Sequence, residues 1–161
     1  MIIDENISQR MNALSSQFPT RQALLLPLLH EIQEKEGWIS ADAIKEAAVF
    51  LHLPVARVEE VLSFYTMYNR RPVGKQHIQV CTNIVCFLRG ADHLMHCLEQ
   101  RLGISQGETT ADGRYTLTGV ECLAACGTAP VIQVNKNYHE NLDQVGLDRL
   151  VDQLDKELLN G

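Results

Sequence analysis

The chain has 161 residues, 45% of them apolar and 21% charged, with a formal net charge of −6, which is material for a proper core in one large domain or two small ones. Its longest purely apolar run, Ala23–Leu29, contains Pro27 and falls far short of the ~20 residues that span a bilayer; the opening Met1-Ile2-Ile3-Asp4-Glu5-Asn6 carries acids where a secretory signal carries bases. A cytoplasmic setting with reduced thiols is therefore expected, and nucleic acid is disfavoured as a partner, because residues 1–75 hold 8 Lys/Arg against 9 Asp/Glu and residues 76–161 hold 6 against 11.

From Gln9 to about Tyr68 the apolar residues recur at helical spacing. A short opening helix ends at Phe18-Pro19-Thr20, and Thr20 is placed to cap a helix carrying Leu24, Leu25, Leu28, Leu29 and Ile32. Pro27 falls inside that helix and is expected to bend it. Gly37 stops it, Ser40 caps the next helix with Asp42 in its first turn, and that helix runs to about Leu51. Pro54 opens another, whose apolar side is Val55, Val58, Val61, Leu62 and Phe64 to Tyr65. The last two helices have the short connection of a helix-turn-helix, but the second presents Arg57 beside Glu59 and Glu60, so a packed helical hairpin is the better reading than a DNA reader. Trp38, Phe64, Tyr65, Met67 and Tyr68 are for the most part assigned to the local core.

Asn69-Arg70-Arg71-Pro72-Val73-Gly74 is a polar junction marked by Pro and Gly, after which the periodicity changes. It divides the chain into a helical domain, 1–74, and a second domain, 75–161. In the second, His77–Val80 reads as a strand delivering Cys81, and Gly90 to Leu102 reads as a helix stopped at Gly103. Tyr115–Val120 and Pro130–Val134 read as strands, followed by the turn Asn135-Lys136-Asn137. An amphipathic helix over about 145–159 closes the chain, with Leu147, Leu150, Val151, Leu154 and Leu158 inward and Asp143 near its start. The fold class expected is α+β: a helical bundle, then a small open sheet with helices packed on it.

The chemistry is concentrated in Cys81-Thr82-Asn83-Ile84-Val85-Cys86 and Cys122-Leu123-Ala124-Ala125-Cys126. Two thiols on a short loop can converge on one metal centre, and a second loop can complete the cage. All four are expected at strand ends or in loops. Cys97 lies mid-helix and reads as a small core residue; five cysteines cannot all pair within one chain. Neither pair has the C-x-x-C spacing of a thioredoxin dithiol, and no His stands near either pair to make a Rieske centre. His93 and His96 read as solvated surface. C-x4-C occurs in [2Fe–2S] proteins, whereas zinc knuckles favour C-x2-C; on spacing alone, zinc holding an interaction module together stays open beside iron–sulfur. A G-x-G-x-x-G motif and a complete P-loop are both missing, and no nucleophile with a partnered base can be identified, so substrate chemistry is expected on another chain.

Leu28-Leu29-His30-Glu31-Ile32-Gln33, Gly37-Trp38-Ile39, Val61-Leu62-Ser63-Phe64-Tyr65, Pro72-Val73-Gly74-Lys75 and the two cysteine segments together resemble the family of E subunits of respiratory NADH:quinone oxidoreductase (complex I), over about residues 21–154. The resemblance implies a thioredoxin-like ferredoxin domain holding one [2Fe–2S] cluster through Cys81, Cys86, Cys122 and Cys126, with no catalytic residue on this chain. It also implies a flavoprotein partner that carries FMN and binds NADH, and a place in the peripheral arm of a membrane-bound complex without membrane insertion. Similar chains serve NAD-linked hydrogenases and formate dehydrogenases; Tyr138-His139-Glu140-Asn141-Leu142 looks most like the respiratory form. Residues 1–74 are then expected to act as a docking domain. The Ala129–Pro130 bond, entering a strand directly after the second cysteine loop, is expected to be cis, as thioredoxin-like folds often have it there.

Overall fold

A computed structural model describes residues 1–160; Gly161, the last residue of the second expected domain, lies outside them. The chain forms two compact units, Met1–Pro72 and a second that begins at Val73.

In the first unit, helix α1 (Glu5–Ser15) starts at Asp4, whose carboxylate accepts the Ile7 N–H at 2.9 Å. Thr20 does act as a cap, but of a 3₁₀ turn, Arg21–Leu24, and helix α2 (Leu25–Glu36) begins only after it. Pro27 is thereby the third residue of α2, among the first-turn positions whose N–H groups have no intrahelical partner. The expected mid-helix bend is replaced by a change of helix type upstream. Gly37, at φ +80°, closes α2. Ser40 caps α3 (Ala41–Leu51) by accepting from Ala43 N–H at 3.1 Å, and Pro54 directly precedes α4 (Val55–Phe64).

The core of this unit is built on Met11, Leu25, Leu28, Ile32, Leu51 and Leu62. On α4 only Val58 and Leu62 are buried, so its apolar side is narrower than expected. The aromatic assignment is corrected as well. Tyr68 is core and Trp38 half-buried, but Phe64, Tyr65 and Met67 are 76%, 36% and 52% exposed. Phe64, the last residue of α4, and the Tyr65–Met67 stretch after it turn their large apolar side chains outward before Tyr68 returns to the core.

The second unit is a four-stranded sheet in the order β2-β1-β3-β4, from β1 (Gln76–Cys81), β2 (Tyr115–Val120), β3 (Val131–Val134) and β4 (Asn137–Glu140). Strands β1 and β2 are parallel, with Cys81 opposite Val120; β3 runs antiparallel to both β1 and β4. The parallel pair needs a crossover, supplied by α5 (Ile84–Leu88) and α6 (Ala91–Leu102), and α7 (Gln144–Asn160) follows β4. Asp143 starts α7 by accepting the Gly146 N–H at 2.7 Å. Ile78, Val80, Leu98, Leu117, Ile132 and Val151 fill the core between sheet and helices. Gly74 lets the chain enter this sheet: a Cβ there would lie 2.7 Å from the Tyr115 carbonyl carbon, while its N–H donates to Thr116 Oγ1 at 2.6 Å. The Ala129–Pro130 bond is cis, as expected. Among the described residues no buried side-chain nitrogen or oxygen lacks a hydrogen-bond partner.

Candidate metal centre

Because β1 and β2 run parallel, both end at the same side of the sheet, and each leads straight into a cysteine segment. Cys81 is the last residue of β1. Thr82 continues the ladder, its N–H donating to the Val120 carbonyl at 2.9 Å. Asn83 then opens α5, which carries Cys86, so Cys86 lies within a short helix and not in a loop as expected. Opposite, Glu121 and Cys122 follow β2, and Ala124 turns the chain through φ +56° with its N–H donating to Cys122 Sγ at 3.2 Å. Cys126 opens a 3₁₀ turn that ends two residues before Pro130 and β3.

Cys81 and Cys86 are buried, at 2% and 1% exposure, whereas Cys122 and Cys126 are exposed; all five cysteines are unpaired. The thiols of Cys86 and Cys122 and the N–H groups of Asn83 and Leu123 all act on the Cys81 thiol. Burial pushes this thiol up, but those N–H and thiol donors outweigh it and hold it below its ordinary value. Cys86 is held above its ordinary value, by burial first and then by Cys81, against a single opposing N–H from Val131.

Among the described residues no three His, Cys, Asp or Glu side chains are grouped to hold a metal ion. The thiols influence one another pairwise, Cys81 with Cys86 and Cys122, and Cys86 with Cys126. Four thiolates from two segments are the donor set of a [2Fe–2S] cluster. Donor set and loop arrangement therefore fit a binuclear cluster. Cys97 sits on α6 with its sulfur 3.6 Å from His93 Nε2. His93 and His96 are exposed, and they hydrogen-bond to Gln144 and Gln100. The amide donors to sulfur have no signature in residue type. Helix α5 has one, an Asn directly before an apolar triplet, but five residues are too few for periodicity to register.

Residues 11–155 match the family model of the thioredoxin-like [2Fe-2S] ferredoxins. The chain is 44% identical over 134 residues to the E subunit of the NADH-quinone oxidoreductase of Rickettsia prowazekii (strain Madrid E), covering 83% of this chain and 76% of that one. It is 40% identical over 144 residues to the E 2 subunit of the NADH-quinone oxidoreductase of Rhizobium meliloti (strain 1021), covering 89% and 86%. Among solved structures, an NAD+-reducing [NiFe]-hydrogenase in the air-oxidized state superposes with a TM-score of 0.74 at 24% identity; the match spans 83% of this chain and 23% of the hydrogenase chain, and shows a shared fold. The family carries one [2Fe–2S] cluster, which decides between the iron–sulfur and zinc readings that spacing leaves open. Four thiols on two segments at one end of a sheet and a match over nearly the whole length have one reading: the chain belongs to the thioredoxin-like [2Fe–2S] ferredoxin family, among the E subunits of NADH-quinone oxidoreductases.

Proposed function

We propose that this chain is the electron-transfer subunit of an NADH:quinone oxidoreductase, that Cys81, Cys86, Cys122 and Cys126 are the ligands of its [2Fe–2S] cluster, and that its partner is the NADH-oxidising flavoprotein that carries FMN. The observation that carries this reading is the arrival of both cysteine segments at one end of the β1–β2 pair. The bound cluster supplies a one-electron acceptor, suited to taking a single electron from a flavin that NADH reduces by two.

The chain's own residues hold and bias that centre. Four thiolates bind it, the Ala124 N–H donates to Cys122 Sγ, and the N–H groups of Asn83, Leu123 and Val131 act to lower the Cys81 and Cys86 thiols, all favouring the added negative charge of reduction. The excess of 11 acids over 6 bases in residues 76–161 opposes that charge and argues for a low potential. Hydride chemistry on NADH belongs to the flavoprotein. Residues 1–72 serve to dock the chain, with Phe64, Tyr65 and Met67, exposed in the isolated protein, covered by the flavoprotein. Among the described residues no helix is long and apolar enough to cross a membrane, in keeping with a place in the peripheral arm of the complex on the cytoplasmic side.

The test is iron and acid-labile sulfide content, with visible absorption and the electron paramagnetic resonance (EPR) spectrum of the reduced protein, on the wild type and on single Cys→Ala variants. Replacing Cys81, Cys86, Cys122 or Cys126 is expected to lose the cluster or leave it labile; Cys97→Ala is expected to keep it. Full retention of iron by Cys122→Ala overturns the ligand set. Co-purification of an FMN-containing protein checks the partner.

A further inference from the structure

Asn83 stands between the cysteines of the first segment and is exposed, so core packing does not explain its identity. Its hydrogen bonds do. The backbone N–H is one of the groups that lower the Cys81 thiol. The backbone carbonyl accepts the Phe87 N–H at 2.8 Å, and Oδ1 accepts the Ile84 N–H at 2.9 Å, which together start α5. Nδ2 donates to the carbonyl of Glu121 at 3.1 Å, immediately before Cys122. One residue thus engages a first ligand, the start of the helix that bears a second, and the loop that delivers a third. The neighbouring Thr82 bonds to the Val120 carbonyl through N–H and Oγ1, at 2.9 and 3.0 Å, but those bonds only prolong the β1–β2 ladder. The Asn83 amide reaches past the ladder into the second cysteine loop.

We propose that Asn83 is a positioning residue for the cluster: its side-chain amide clasps the second cysteine loop to the first and so fixes the separation of the two thiolate pairs. This rests on the four-cysteine ligand set proposed above. The role requires a side chain with an acceptor and a donor at the same reach. Ser retains an oxygen that caps a helix start but is too short to reach Glu121. Asp retains the shape and the cap, has no donor, and sets a carboxylate against a carbonyl oxygen.

The experiment compares the full-length cluster-loaded chain as wild type, Asn83→Ser and Asn83→Asp. Both variants keep every ligand and are expected to load iron and sulfide. Both are expected to release iron to a chelator about tenfold faster, the order of loss seen when a hydrogen-bonding partner behind a metal ligand is removed. The EPR spectrum of the reduced state and the midpoint potential are both expected to shift as the second cysteine loop is freed from the first. Wild-type release kinetics with an unshifted spectrum and potential in Asn83→Ser overturns the clasp. If Asn83→Ser fails to fold, the isosteric Asn83→Asp gives the same readouts, and wild-type values there overturn it equally. A wild-type chain without iron and sulfide would sink the ligand set, and the role of Asn83 with it.

Discussion

Tyr68 ties the end of the first unit to its core: it is 3% exposed and its hydroxyl donates to the Leu26 carbonyl at 2.9 Å. Burial, with a smaller effect of Tyr65, pushes its pKa up to about 12. The unfolded value is about 10. Below that both states hold the proton and the contribution is intact; as pH climbs from 10 towards 12 the unfolded chain ionises first and stability falls. Urea unfolding between pH 9 and 11.5 is expected to show this decline, and Tyr68→Phe to reduce it. At pH 7 the same variant is expected to cost about 1 kcal/mol for the lost hydrogen bond. Tyr115, raised by burial and then by its bond to Asp155 at 2.8 Å, adds a decline of the same sign in the second unit. A residual slope in the variant is thus expected, and an unchanged slope would show that Tyr68 ionises as freely in the fold as outside it.

Helix α7 separates two kinds of interaction on one element. Leu147, Leu150, Val151 and Leu154 are buried, while its flank forms ion pairs from Arg101 to Asp148 and Asp152 and from Arg114 to Asp155. All of these charges are a third or more exposed, where a pair contributes about 0–1 kcal/mol; truncating a buried leucine costs about 2–5 kcal/mol. Leu154→Ala is therefore expected to lower the denaturant midpoint severalfold more than Asp152→Asn, and the small effect of the latter to vanish in high salt. Comparable losses would mean that the ion network holds the helix. This helix is legible in sequence because its leucines keep their period over several turns, as are α3 and α6. The strand β4 is not, since Asn137-Tyr138-His139-Glu140 shows no apolar alternation and its pairing with β3 comes from the tight turn at Asn135, at φ +53°. The four cysteines are legible from their spacing. The clasp of Asn83 is not, because its meaning depends on a carbonyl that folding brings beside it from residue 121.

At the scale of the molecule, two separate apolar cores serve two units, and the proposed division of labour follows them. A chain beginning at Val73 keeps all four proposed ligands and the whole core around the sheet, and is expected to bind its cluster. It is also expected not to co-purify with the flavoprotein; co-purification as efficient as that of the full chain would leave residues 1–72 without the docking role. The parallel pairing of β1 and β2 has a further consequence, which concerns the order of events as the protein is made. The first cysteine pair leaves the ribosome with α6 and β2 still to follow, and until the crossover has folded back there is no second loop beside it. In an unfolded chain the thiols are two distant half-sites, so metal delivered early meets only one of them. Pairing of the distant strands, the slow step in such topologies, therefore sets the earliest moment at which iron can be captured by the four proposed ligands together, and iron so captured would then hold closed the long loop whose closure made it possible.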